Sequence, residues 1–345
     1  MIRHCFAFIL MATFAGIAEL QAQTIATPSG PLEFIGLRSW NPQQLWNAIY
    51  ASSPGSGAHA CAAVLKSDFE FPDAAVNAYM ENDSIYWVVT VVEKEFRDRV
   101  QYLPAQTGSV AIPSDWNPLL TIPQSKALSI NIAVQTYHHI LAEKQADAVN
   151  EVVAETKSIR EHNSSITIDM ALVKSLWKFL GDHRTGQDRT LAMRVLATDS
   201  SEARRTLAAS MLLNFADNDS TWHILVDAER DSSSNVREAA RTSLGNLVDD
   251  KPRTIHWMPA VPALRHILAG TNLFALTPTL VMLTKTGISP TLASPLLHGN
   301  ADLVLGYLQA HHQFEREVAH DFLAAISGRD YGFDAAKWGE WIAGL

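Results

Sequence analysis

The second half of this chain repeats itself at an offset of 32 residues, and no other feature constrains its fold as strongly. The clearest copy is Asp231-Ser-Ser-Ser-Asn-Val236-Arg237-Glu-Ala-Ala240-Arg-Thr-Ser-Leu244-Gly-Asn-Leu247. Moved back by 32, Asp199 falls on Asp231, Arg205 on Arg237, Ala208 on Ala240, Leu212 on Leu244 and Phe215 on Leu247. The residues ahead of them align as well, with Ala192, Met193 and Leu196 on Ile224, Leu225 and Ala228. A further copy shows at Arg316, Ala319, Leu323 and Ile326. Matches three and four residues apart lie on one face of a helix. A period of this length is one helical hairpin, which cannot bury its apolar face alone and must stack on its neighbours.

Each matched position has a structural use in such a stack. Ala240 lets a neighbouring helix approach closely, and Leu244, four residues on, covers the same face. Asp199 and Asp231 precede their second helices, where a carboxylate accepts backbone N–H bonds at the positive helix end. Arg205 and Arg237 are then expected to pair with that Asp or with the neighbouring copy's. The pattern Asp-x4-Val-Arg-x2-Ala-x3-Leu-Gly-x-Leu at 231–247 resembles the bacterial HEAT-like repeat family. The tail from Ile326, a Gly- and Asp-rich turn leading to Trp338 and Trp341, is similar to the end of many such proteins. The likeness covers roughly residues 186–345 and weakens from 250 to 300, where Pro252, Pro259, Pro262, Pro278, Pro290 and Pro295 suggest irregular hairpins. It implies an α-solenoid used as a protein-interaction scaffold and implies no reaction by itself. Arg204, Glu238 and Arg241, on the second helices, are the expected partner contacts.

The first half has a different grammar. Residues 1–22 carry Arg3 and His4, an apolar run from Cys5 to Ala18, and Leu20-Gln21-Ala22 as a cleavage site. That is the form of a signal peptide, too short to span a bilayer, and it predicts a periplasmic or secreted chain starting near Gln23. Its removal leaves Cys61 as the lone cysteine, so no internal disulfide is expected. No later run is long and apolar enough for a transmembrane helix. Gln23–Pro31 reads as a flexible leader. A small α+β domain is expected over 32–104. Asn41-Pro42 starts a helix, Ala58–Lys66 is helical, and a short helix runs from Phe71-Pro72-Asp73 through Tyr79. Ile85–Val92 reads as an interior strand, with Arg99–Leu103 returning as its hairpin partner. Residues 105–123, with Pro113, Pro118 and Pro123, form a linker, and 124–185 is a helical connecting region. The fold class is therefore mainly α, a helical array behind a small α+β domain.

Charge excludes one function class. The net charge of −9 is the reverse of what a phosphate-backbone binder needs, so nucleic acid is not the expected partner. A protein partner of unknown identity is. The alternative is a cysteine-dependent hydrolase or transferase with Cys61 as nucleophile, because Cys61 sits early in a helix whose dipole favours thiolate. This arrangement faintly resembles transglutaminase-like folds, but the following strand opens with Ile85-Tyr86-Trp87 where those enzymes carry a His, and a buried structural cysteine fits better. His138-His139, His311-His312, Glu315 and Glu317-x-x-His320 have suggestive spacings, but no His-Glu-x-x-His motif accompanies them, and no metal or cofactor is expected. Nucleophile-elbow, phosphate-loop and dinucleotide motifs are absent from the sequence.

Overall fold

The computed structural model describes residues 23–54, 57–81, 84–121, 127–142, 168–250 and 252–345. The segment read as a signal peptide lies outside the described residues, as do residues 143–167 of the helical connecting region and the side chains of His138 and His139. The described chain is mainly helical, with one four-stranded sheet near its N-terminus.

Strands β1 (Gln23–Thr27) and β2 (Gly30–Ile35) form an antiparallel hairpin around Pro28-Ser29. The expected flexible leader is thus strand β1 and the turn into β2. Its Pro, Ser and Gly serve the turn, where Gly30 takes a φ of 115° that a side chain would strain. Helix α1 (Pro42–Ser52) starts as predicted, with the Asn41 side chain accepting from the Gln44 N–H at 3.1 Å. Helix α2 (Cys61–Ser67) follows, then β3 (Asp73–Glu81) and β4 (Ser84–Val92). The expected helix at 71–79 is therefore strand β3. Its alternation decides against the alanines' helical preference: Ala74 and Val76 pack toward α1 and α2, while Ala75 and Tyr79 pack toward the helical half. The sheet order is β1-β2-β4-β3, with β2 and β4 parallel. β4 is interior, as its two apolar faces require, but its hairpin partner is β3 and not Arg99–Leu103. Lys94–Arg99 forms a 3-10 turn instead.

Beyond the sheet come α3 (Asn117–Leu120), α4 (Ala127–Ala142), α5 (Met170–Asp182), α6 (Gly186–Thr198), α7 (Glu202–Met211), α8 (Asp219–Ala228) and α9 (Ser234–Asp250). Then follow α10 (Val261–Ala269), α11 (Leu276–Lys285), α12 (Ala293–Leu297), α13 (Asp302–Leu308), α14 (Gln313–Ser327) and α15 (Ala335–Ala343). Helices α7, α9, α11 and α14 pack each against the next, and so do α6, α8 and α10. Leu212 and Leu244 are buried where α7 and α9 meet. Full burial of such a side chain contributes about 1.5–3 kcal/mol.

Arg205 and Arg237 make the same local bonds 32 residues apart. Arg205 Nη1 donates to the carbonyls of Asp199 (2.8 Å) and Ser200 (3.2 Å), and Arg237 Nη1 to those of Asp231 (2.6 Å) and Ser232 (3.2 Å). Arg205 also forms a buried two-pronged pair with Asp231, 2.9 Å on each prong. Asp199 and Asp231 accept from the Ser201 and Ser233 N–H groups at 2.8 Å, two residues on, while Ser201 itself caps α7.

Residues 100–113 are an extended strap across the ends of these helices. Leu103 N donates to Arg230 O (2.7 Å), Gly108 N to Thr198 O (2.9 Å), and Val110 N to the Asp199 carboxylate (2.9 Å). The first part of the predicted linker is thus bonded to the helical half, because Asp199 and the neighbouring carbonyls offer it partners. The sheet itself is fixed by buried carboxylates. Glu33 accepts from the His311 and His312 N–H groups at 2.6 and 3.1 Å, at the start of α14. Asp73 accepts from Leu273 N at 2.9 Å and Tyr102 Oη at 3.0 Å.

Candidate functional site

A cleft of about 470 Å³ opens between the sheet and the helical half, bordered by β3, α9 and α11. Its walls carry Leu244, Val248, Val281 and Met282, with Phe274 and Phe314 at 38% and 46% exposure. These two are the exposed large hydrophobic side chains among the residues that line it. Asn77, Ala78 and Tyr79 of β3 also border it. Asn77 and Tyr79 turn toward the helices, where both meet Glu315, whereas Ala78 belongs to the opposite face. A border that includes all three runs along the open edge of the strand. β3 is the last strand of the sheet, and among the described residues no backbone hydrogen bond reaches it from outside the sheet.

The charged groups on the cleft's border are Glu229, Arg241 and Asp249. Glu229 follows α8 and is 2% exposed. Asn272 Nδ2 donates to its Oε2 at 2.6 Å and to its backbone carbonyl at 2.9 Å. Among the described residues its Oε1 has no hydrogen-bond partner. Burial pushes the Glu229 carboxyl up to about 8, against the opposing pull of Arg241 and Arg237. Arg241, from α9, pairs with Glu238 and lies over the Phe274 ring, 5.6 Å from its centre. Behind β3, Glu315 is fully buried and accepts from Tyr79, from Thr277 Oγ1 at 2.7 Å and from Asn77 Nδ2 at 3.4 Å. Burial raises its carboxyl too, with these donors opposing the shift. His312 stacks on Tyr79, ring centres 3.9 Å apart, and its Nε2 lies 3.0 Å from Glu81.

This chain matches no family model, no curated protein and no solved structure.

The cleft brings together only part of what the sequence suggested. Arg241 and Leu244 border it, with Glu238 paired to Arg241. Arg204 is elsewhere: its Nη1 donates to Val110 O at 3.2 Å and lies 3.3 Å from Asp199, so the strap already occupies it. Asp199, Arg205, Asp231, Arg237 and Ala240 are built into helix packing. Cys61 does open α2, but it is fully buried between α1, α2 and the sheet. Burial pushes its thiol up to about 12, the opposite of what a nucleophile needs. Among the described residues no group of three or more His, Cys, Asp or Glu is arranged to hold a metal ion. His320 instead lies between Asp330 and Asp321, 3.0 Å from each, and the Asp330 bond holds its imidazole above the usual range. No single described helix is long and apolar enough to cross a membrane. Sequence reasoning missed Glu229, Asn272, Phe274 and Phe314. Their only advance signal was Phe274, an aromatic in the stretch 250–300 where the period is degenerate.

Proposed function

We propose that this chain is a binding protein, an α-solenoid scaffold of the HEAT-like kind, working in the periplasm or outside the cell, that holds a protein partner. The successive packing of α7, α9, α11 and α14 beside the row α6, α8 and α10 supports the solenoid reading. One observation carries the binding role: an open apolar cleft with half-exposed Phe274 and Phe314 at its walls and Glu229 and Arg241 among its polar groups. Pockets of this size and mixture suit a ligand or a short stretch of partner chain. A surface built only for solubility would not leave two phenylalanines beside an unfilled cavity.

A photo-crosslinking amino acid at position 274, compared with one at the remote exposed Lys178, tests this in cell envelopes. A discrete protein adduct is expected from position 274 and none from position 178. Equal labelling from both positions, or none from either, sinks the reading.

A further inference from the structure

The cleft joins three features that belong to different elements: an unpaired strand edge, an apolar trough and an unbalanced positive charge. The edge is the half of β3 around Asn77–Tyr79, since residues 273–275 pack against the strand elsewhere. An extended peptide can add to such an edge through main-chain hydrogen bonds, with alternate side chains entering the adjoining trough. Leu244, Val248, Met282 and Phe274 make that trough apolar.

The charge argues for what the peptide carries. Arg237 and Arg241 both act on the Glu229 carboxyl. Arg241 is paired with Glu238, but among the described residues Arg237 has no carboxylate within ion-pair distance; it lies over the Tyr102 ring at 4.5 Å. Asp249, the other charged group on the cleft's border, is engaged by Lys285 at 3.0 Å. With a proton on Glu229 the region around Arg241 therefore holds one positive charge in excess, and Glu229 Oε1 can serve a ligand as donor. A carboxylate is the complementary group, and guanidinium forks suit it.

We propose that the cleft receives the C-terminal end of an apolar partner peptide, laid along the open edge of β3 with its terminal carboxylate at Arg241 and Glu229. This rests on the reading of the cleft as the partner site and narrows it to one occupant.

The test uses the full chain and fluorescein-labelled hexapeptides with apolar residues at the last four positions, each made as free acid and as C-terminal amide. Fluorescence anisotropy should show the acid bound at least about tenfold more tightly than the amide, as expected for a charge-assisted contact. Arg241→Gln should remove that difference, Arg241→Lys should restore part of it, and Arg204→Ala, on the strap side, should leave it intact. Acid and amide binding alike would overturn the proposal, and so would binding of a labelled medium-chain fatty acid with no peptide binding. Self-association through β3, seen by light scattering as a dimer that the peptides cannot dissociate, would overturn it as well. The crosslink at position 274 separates the two levels. If the adduct forms while acid and amide bind equally, the carboxylate proposal falls and the partner site stands. If the adduct is also lost, the partner site itself falls.

Discussion

The junction between α7 and α9 and the junction between the sheet and α14 are both held by buried carboxylates, but on different plans. In the first, the Asp231 carboxylate meets a guanidinium, that of Arg205, 26 residues away. In the second, Glu33 reaches backbone N–H groups at His311 and His312, more than 270 residues away. The first is a charge pair between two packed helices. The second is a one-off acceptor set against a helix start. What recurs at the 32-residue offset is the bonding of Arg205 and Arg237 to the carbonyls ahead of their helices, while the charge pair with Asp231 and the Glu33 acceptor set each occur at one junction.

The sharpest way to break the comparison is at Asp231. Asp231→Ala leaves the buried Arg205 guanidinium without its counterion and is expected to cost about 3–5 kcal/mol in denaturant unfolding. Arg205→Met combined with Asp231→Leu should cost clearly less than the sum of the two single changes, since no orphaned charge remains. A simple sum would mean the pair is not coupled. At the other junction, Glu33→Ala removes the acceptor for two N–H groups and for Tyr86 Oη, which lies 3.1 Å away. About 2–4 kcal/mol is expected there, with amide exchange quickened first at 311–314. Exchange quickened equally along α7 and α9 would contradict the separation of the two junctions.

Sequence made one junction visible and hid the other, for the same physical reason. The 32-residue offset made Arg205, Arg237, Ala240 and Leu244 visible because Arg205 and Arg237 bond the carbonyls ahead of their helices in the same way, although the ion pair with Asp231 is made by Arg205 and not by Arg237. Glu33, Asp73, Glu229 and Glu315 have no second copy, and their partners are distant in sequence, so nothing in the chain's periodicity marks them. The same limit applies to residues 71–79: local preference favours a helix, but alternate residues of that stretch pack on opposite sides of the sheet. The strap escaped notice because prolines and small residues look alike in a free linker and in an extended chain bonded to Asp199. Of the cleft, Arg241 was marked in advance as a partner contact and Leu244 as a packing residue, while Glu238, also a marked contact, is paired to Arg241.

Glu229 sharpens the comparison through pH. Its carboxyl is raised to about 8 in the folded chain, so the folded state holds a proton that the unfolded state has already lost. Stability from this group is complete below the ordinary glutamate range and declines until about pH 8. Between pH 6 and pH 9 the loss should be about 2–3 kcal/mol. Glu229→Gln should flatten that slope, and an unchanged slope would assign it to other groups. The smallest effect is expected at Cys61. Native-state thiol labelling should run at least about a hundredfold slower than for a free thiol, because the sulfur must first be exposed by opening. Cys61→Ala should cost about 1 kcal/mol and leave the crosslink at position 274 unchanged.

The strap has one more consequence, for chain integrity. Pro104, Ala105 and Thr107 are exposed, while Leu103 on one side and Gly108 and Val110 on the other are tied to the helical half by backbone bonds. A protease nick between Pro104 and Thr107 would therefore sever the backbone without releasing either piece. The two fragments would travel together through a sizing column and part only in denaturant.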